Sequence, residues 1–171
     1  TSYNGNLQLN IKQLHKCQEG EYQPADYMPT TEKSVDGMYE MLLAYAAKIE
    51  NPYLKKMVDY YFREDEAFIK RFKEHSAAKS VHHGFSGGLL EHTLSVVRLC
   101  EYYVHAYTIF NKDLLYAAAL FHDIGKTKEL SSFPENDYTD DGQLLGHIII
   151  GVEMADEAIR SIDGFPPKLA S

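Results

Sequence analysis

Leu114-Leu115-Tyr116-Ala117-Ala118-Ala119-Leu120-Phe121-His122-Asp123-Ile124-Gly125-Lys126 is the stretch on which the fold turns. Its apolar first half predicts a buried helix from Asp113 to Ile124, opened by an Asn111 cap. A carboxylate beside an imidazole at the edge of such a helix costs free energy unless it is paired or holds a cation. Gly125 is expected to end the helix and let His122 and Asp123 face a cleft, with the Lys126 ammonium close behind. Imidazole nitrogen and carboxylate oxygen together suit Mn²⁺, Fe²⁺, Mg²⁺ or Zn²⁺, whereas thiolate-selective metals find no ligands here.

Upstream, His92 follows Gly87-Gly88-Leu89-Leu90-Glu91 and lies near the start of a helix expected over Leu89–Ala106, with Leu94 and Val97 continuing its apolar face. Two helices would then converge on one ion. Ser34 caps a helix whose apolar face is Met38, Met41, Leu42, Tyr45 and Ile49. Asn51-Pro52 starts another, expected to run to about Phe72, and a last one covers Leu144–Ile162 before Gly164 and Pro166-Pro167 stop it. The body is all-α, a helical bundle. Ser131–Gly142, rich in acids and turn formers, is its one long connection. Ahead of it, Asn4-Gly5 reads as a tight turn leading into a strand in which Leu7, Leu9 and Ile11 alternate with polar residues. The strand that should precede that turn is expected to be missing. Glu19–Thr31, with Pro24 and Pro29, reads as a linker.

The chain has 171 residues, 44% of them hydrophobic and 25% charged, which fits one packed domain with an appendage and excludes a disordered or disulfide-framework protein. Cys17 and Cys100 are far apart and form no CxxC pair, so a reducing, cytoplasmic setting is expected. No run approaches the roughly 18 apolar residues of a membrane span. The net charge of −8 sits toward the C-terminus, where residues 134–171 hold eight acids against Arg160 and Lys168. That balance argues against a broad basic face for nucleic acid, and the basic run Lys70–Lys79 reads as a solvated helix face. Tyr60-Tyr61-Phe62 and Tyr102-Tyr103 fall at helical spacing, which favours core packing or a subunit interface over base stacking.

Three longer stretches carry a resemblance: His82-His83-Gly84-Phe85-Ser86-Gly87-Gly88-Leu89-Leu90-Glu91-His92-Thr93, Asp113 through Ala118, and Tyr138-Thr139 with Gly142 through Ile148. With His122-Asp123 and Gly125-Lys126, they resemble the HD superfamily of metal-dependent phosphohydrolases. Within it, the chain is most similar to the YhaM-type 3′-to-5′ exoribonucleases, in which an OB-fold precedes an HD domain. The resemblance implies an OB-fold remnant at 1–18, a linker at 19–33 and an HD domain at 34–171. It implies metal ligation by His92, His122 and Asp123, with Asp123 bridging two ions and His147 serving the second. Asp123 and Lys126 would be catalytic, and Lys126, His82 and His83 would meet the substrate phosphate. Superfamily members supply later ligands that have no counterpart before Ser171, so the chain is expected to be truncated at both ends.

The activity implied is removal of nucleotides from the 3′ end of single-stranded RNA, with single-stranded DNA as a further candidate, to give nucleoside 5′-monophosphates. Mn²⁺ is the expected cofactor, with Mg²⁺, Fe²⁺ and Zn²⁺ as alternatives. A homo-oligomer without membrane contact is also implied. Two rival readings stand beside it: an HD phosphohydrolase acting on free nucleotides, and a helical regulatory module without turnover.

Overall fold

The computed structural model describes residues 2–3, 6–7, 10–18, 20–22, 29–79 and 84–170. Two short antiparallel strands, β1 (Ser2–Tyr3) and β2 (Asn6–Leu7), pair Ser2 with Leu7 and Tyr3 with Asn6. Two expectations change here. Ser2–Tyr3 supplies the partner strand thought missing, and the strand expected to continue to Ile11 stops, since residues 10–18 form none. Ile11 and Leu14 are largely exposed, and among the described residues no strand pairs with this stretch.

From Ser34 onward the chain is helical. α1 (Val35–Ala46) starts at Ser34, whose side chain accepts the Gly37 N–H, and buries Met38, Tyr39, Leu42 and Ala46. α2 (Pro52–Asp59) starts at Asn51, whose side chain accepts from the Tyr53 and Leu54 amides. Asp113 holds the preceding turn in place, its Oδ2 accepting from Asn51 N at 2.7 Å and Glu50 N at 3.1 Å. The single helix expected from Asn51 to Phe72 is instead α2, a π-helical turn (Tyr60–Glu64) and α3 (Glu66–Glu74). Asp65 makes the break, leaving the helical backbone and accepting the Phe68 N–H at 2.8 Å as a new cap. The π turn aims the neighbouring Tyr61 and Phe62 inward together, where Phe68, Phe72 and Phe121 surround them.

α4 (Gly88–Ala106) and α5 (Lys112–Phe121) pack against each other and against α1, and this centre holds Leu89, Leu90, Leu94, Val97, Tyr116 and Leu120. α5 ends at Phe121 rather than Ile124. After it come α6 (Lys126–Glu129), α7 (Asp140–Leu144), α8 (Gly146–Arg160) and α9 (Pro167–Ala170). The last helix expected over 144–162 is thus split, because Gly146, the first residue of α8, takes φ +71. α8 lies against α6, which brings residue 147 beside residues 123–129. Among the described residues no helix is long and apolar enough to cross a membrane.

Candidate metal centre

The site forms where α4, the end of α5 and the start of α8 meet. α4 presents His92 one turn in from its start, α5 presents His122 and Asp123 just past its last residue, and α8 presents His147 from its first turn. Asp123 lies at the bottom, with only 8% of its side chain exposed, while the rings of His92, His122 and His147 are each about one third exposed above it (34%, 32% and 31%).

The carboxylate is used from both sides. Asp123 Oδ2 lies 3.3 Å from His92 Nε2, 3.3 Å from His122 Nε2 and 2.8 Å from Lys126 Nζ. Its other oxygen, Oδ1, faces His147 Nε2 at 3.6 Å. His92, His122 and Asp123 each place one ligand atom within 4.8 Å of the others. Burial alone would push the Asp123 carboxyl up, but the hydrogen bonds from His122 and Lys126 outweigh it and hold the group well below the usual carboxylate range. Burial would also lower His122, yet the Asp123 and Ala119 hydrogen bonds raise it above the ordinary imidazole value. The site is therefore a buried anion with the Lys126 ammonium and the His122 ring, whose protonated form it favours, at its side.

The outer hydrogen bonds settle which nitrogens face the centre. His122 Nδ1 lies 2.8 Å from the Ala119 carbonyl, so in the neutral ring that nitrogen carries the proton and Nε2 carries the lone pair. His122 Nε2 then meets His92 Nε2 at 3.2 Å, a contact that needs a proton or a cation between the two nitrogens. His147 repeats the pattern: Nδ1 lies 2.9 Å from Glu129 Oε1, which leaves Nε2 as the acceptor facing Asp123. Acceptors turned toward one another around a buried carboxylate are what a hard or borderline divalent cation relieves, so this donor set fits such an ion. His92, His122 and Asp123 could hold one, and His147 with the far side of Asp123 could hold a second.

The sequence expectations meet the structure unevenly. It brings His92, His122, Asp123, Lys126 and His147 together. Lys126 Nζ is engaged with Asp123 itself, whereas the expectation had it on a substrate phosphate. His82 and His83 lie outside the described residues. Gly125 does not end a helix through a left-handed backbone, since its φ is −60 and ψ −22. Its small size serves a close approach: a Cβ there would stand 2.0 Å from the His147 carbonyl oxygen and 2.7 Å from Gly151 N. Sequence reasoning missed Glu129. It is 9% exposed, and one of its oxygens accepts from both the His147 ring and the His147 amide. The available signal was chemical: a histidine ligand commonly donates its other ring N–H to a carboxylate.

Residues 89–163 match the family described as HD domain, a span that contains every member of the cluster. The chain is 34% identical over 152 residues to the 3′-5′ exoribonuclease YhaM of Geobacillus sp. (strain WCH70), covering 88% of this chain and 46% of that protein. It is 31% identical over 161 residues to the 3′-5′ exoribonuclease YhaM of Bacillus subtilis (strain 168), covering 94% of this chain and 50% of that protein. The chain thus spans about half the length of the curated relatives it matches. No solved structure matches it. With its His-Asp pair at the end of α5 and its third histidine on α4, the chain matches the HD domain family over residues 89–163 and is similar along most of its length to the 3′-5′ exoribonucleases YhaM.

Proposed function

We propose that this chain carries the metal-centre part of a 3′-to-5′ exoribonuclease that shortens single-stranded RNA, with single-stranded DNA as a further candidate substrate, releasing nucleoside 5′-monophosphates. Residues 34–171 are the hydrolytic domain, residues 19–33 the linker, and residues 1–18 a β remnant of an OB-fold. The protein works in the cytoplasm, and Mn²⁺ is its preferred ion. One observation carries the proposal: a single buried carboxylate, Asp123, offers Oδ2 to His92 and His122 and Oδ1 to His147.

In this proposal His92, His122 and Asp123 hold one divalent ion, and His147 with Asp123 holds another. Bound there, such ions would lower the pKa of an attacking water and stabilise charge on the phosphoryl oxygens. The remaining work belongs to the chain. Asp123 stays ionised throughout the useful pH range because its neighbours hold its proton affinity down. Glu129 and the Ala119 carbonyl fix the rings of His147 and His122. Lys126 supplies a cation beside Asp123 that offsets charge on an incoming phosphodiester.

The test is a product assay with the purified protein, Mn²⁺ and a 5′-end-labelled oligoribonucleotide. Stepwise shortening with release of nucleoside 5′-monophosphates supports the proposal. Turnover of mononucleotides with the oligonucleotide left intact would replace it with a free-nucleotide phosphohydrolase.

A further inference from the structure

We infer that Glu91 is a positioning residue, and that the segment Pro29–Lys33 grips it to aim His92 at the metal centre; this rests on the metal-centre reading above. α4 begins without a local cap. Its N-cap is Gly87, at φ +83, with no side chain to accept the first amides. The end of α4 is held from elsewhere. Leu89 N donates to the His75 carbonyl at 3.0 Å and Gly88 N to the Phe85 carbonyl at 2.9 Å, and Leu89 and Leu90 are buried in the core. A strap crossing over the turn adds a further restraint on its polar side.

The strap is built from both backbone and side chains. Thr30 forms a parallel bridge with Ser86, in which Ser86 N donates to the Pro29 carbonyl at 2.9 Å and Thr31 N to the Ser86 carbonyl at 3.0 Å. Two further bonds take both oxygens of Glu91: Thr31 Oγ1 donates to Oε2 at 2.7 Å, and Lys33 Nζ to Oε1 at 2.5 Å. The Glu91 side chain is only 15% exposed, so its bond to Thr31 is partly shielded from water, while the Lys33 side chain reaches it from the exposed surface. The strap also sits tight on the helix, since a Cβ at Gly87 would lie 2.8 Å from Thr31 Cγ2.

His92 is the next residue after Glu91, so whatever fixes the first turn of α4 about its axis fixes the direction of His92. A side-chain tip about 6 Å from the axis moves about 1 Å when the turn rotates by about 10°. Metal-ligand distances tolerate only about 0.2 Å. A loosened strap therefore spoils the His92 ligand without removing any ligand atom. The strap is also the tail of the linker, so the same contacts join the N-terminal segment to the metal centre.

The experiment is Mn²⁺ titration by calorimetry of the wild-type protein, the Thr31→Val/Lys33→Met double variant and the conservative Thr31→Ser/Lys33→Arg pair, with the thermal melt of each recorded without metal. The sign of the effect decides. Removing the Lys33 cation would by electrostatics alone tighten cation binding, whereas loss of positioning weakens it, by about tenfold on the scale of outer-shell changes. The conservative pair should bind within about twofold of wild type. Tighter or unchanged Mn²⁺ binding by the Val/Met variant overturns the inference, and so does equally weak binding by both pairs. Amide exchange at Thr31 and Ser86 should also slow when Mn²⁺ is added, because coupling between sites is reciprocal. Absence of Mn²⁺ binding by the wild type overturns the metal-centre reading itself, and this inference with it.

Discussion

One oxygen of Glu129 holds His147 twice, accepting from its backbone N–H at 2.9 Å and from its Nδ1 at 2.9 Å. The first bond fixes where α8 begins, and the second fixes the ring. Because α8 has no side-chain cap of its own at Leu145, Glu129 also takes on part of the capping role. Glu129→Gln keeps an acceptor for the amide but removes the charge that favours the Nδ1 proton. The expected outcome is a 10- to 100-fold loss of affinity for the ion at His147, with the other ion less affected. Metal titration should show the two binding phases separate in the variant. An unchanged titration would mean that Glu129 serves only as a cap.

Gly125 and His147 set how closely α6 and α8 approach. Substituting alanine for a helical glycine in an allowed conformation usually stabilises, by roughly 0.5–1 kcal/mol. Here the added methyl would lie 2.0 Å from the His147 carbonyl oxygen and 2.9 Å from its carbonyl carbon, and both contacts are backbone. Sterics therefore win, and Gly125→Ala should destabilise the fold by about 3 kcal/mol, in the upper part of the range for overpacking. Denaturant unfolding measures this directly. A gain in stability would show that α8 shifts freely, and would contradict the tight junction that places His147.

These two residues also mark where the sequence could be read and where it could not. Ser34, Asn51 and Asn111 announced their helices because a cap is a local event, written in the cap residue and the few that follow. The break at Asp65 was hidden because Tyr61, Phe62, Phe68 and Phe72 keep an apolar pattern running across it, and a π turn changes the helical phase without changing composition. His122-Asp123 was legible because a carboxylate at the edge of an apolar helix demands a partner or a cation, and His92 because a second helix could bring it to the same ion, whereas His147 came only through the resemblance. Glu129 was not legible, since a glutamate closing a short Lys-Thr-Lys-Glu turn reads as solvated. Its partner lies 18 residues away, and only the packing of α6 on α8 brings the two together. Gly125 was noticed for the wrong reason: the sequence shows a glycine after a helix, but not the carbonyl that will press against it.

His75 should give the fold an acid-sensitive limb. The residue is 3% exposed, between the end of α3 and the backbone at Lys126, and burial holds its pKa below the ordinary imidazole value. The unfolded chain then binds a proton more readily than the folded one. Stability from this group is fully present above the unfolded value, about 6.5, and is lost as pH falls through the folded value. Melts of metal-free protein between about pH 7.5 and 5 should show the decline, and His75→Gln should flatten it relative to wild type. A parallel decline in the variant would assign the acid limb to other groups.

Metal should stabilise the fold, and His122 should carry most of the effect. The site brings His122 Nε2 to 3.2 Å from His92 Nε2, and His147 Nε2 to 3.6 Å from Asp123 Oδ1, so a divalent ion would find its ligands already gathered by folding. An ion that binds the assembled site and not the unfolded chain adds about 2.7 kcal/mol at 100 times its dissociation constant. In a domain of this size that corresponds to a rise in Tm of roughly 5–11 °C. His122→Ala removes a ligand of the first ion and one of the hydrogen bonds that keep Asp123 ionised, so the metal-free melt should fall modestly while most of the Mn²⁺-dependent rise disappears. His147→Ala should leave part of the rise, because His92, His122 and Asp123 still gather without it. A chelator added to the wild type must reverse the shift. If Mn²⁺ raised Tm equally in wild type and His122→Ala, the ion would be binding elsewhere, and the cluster around Asp123 would be a hydrogen-bonded network alone.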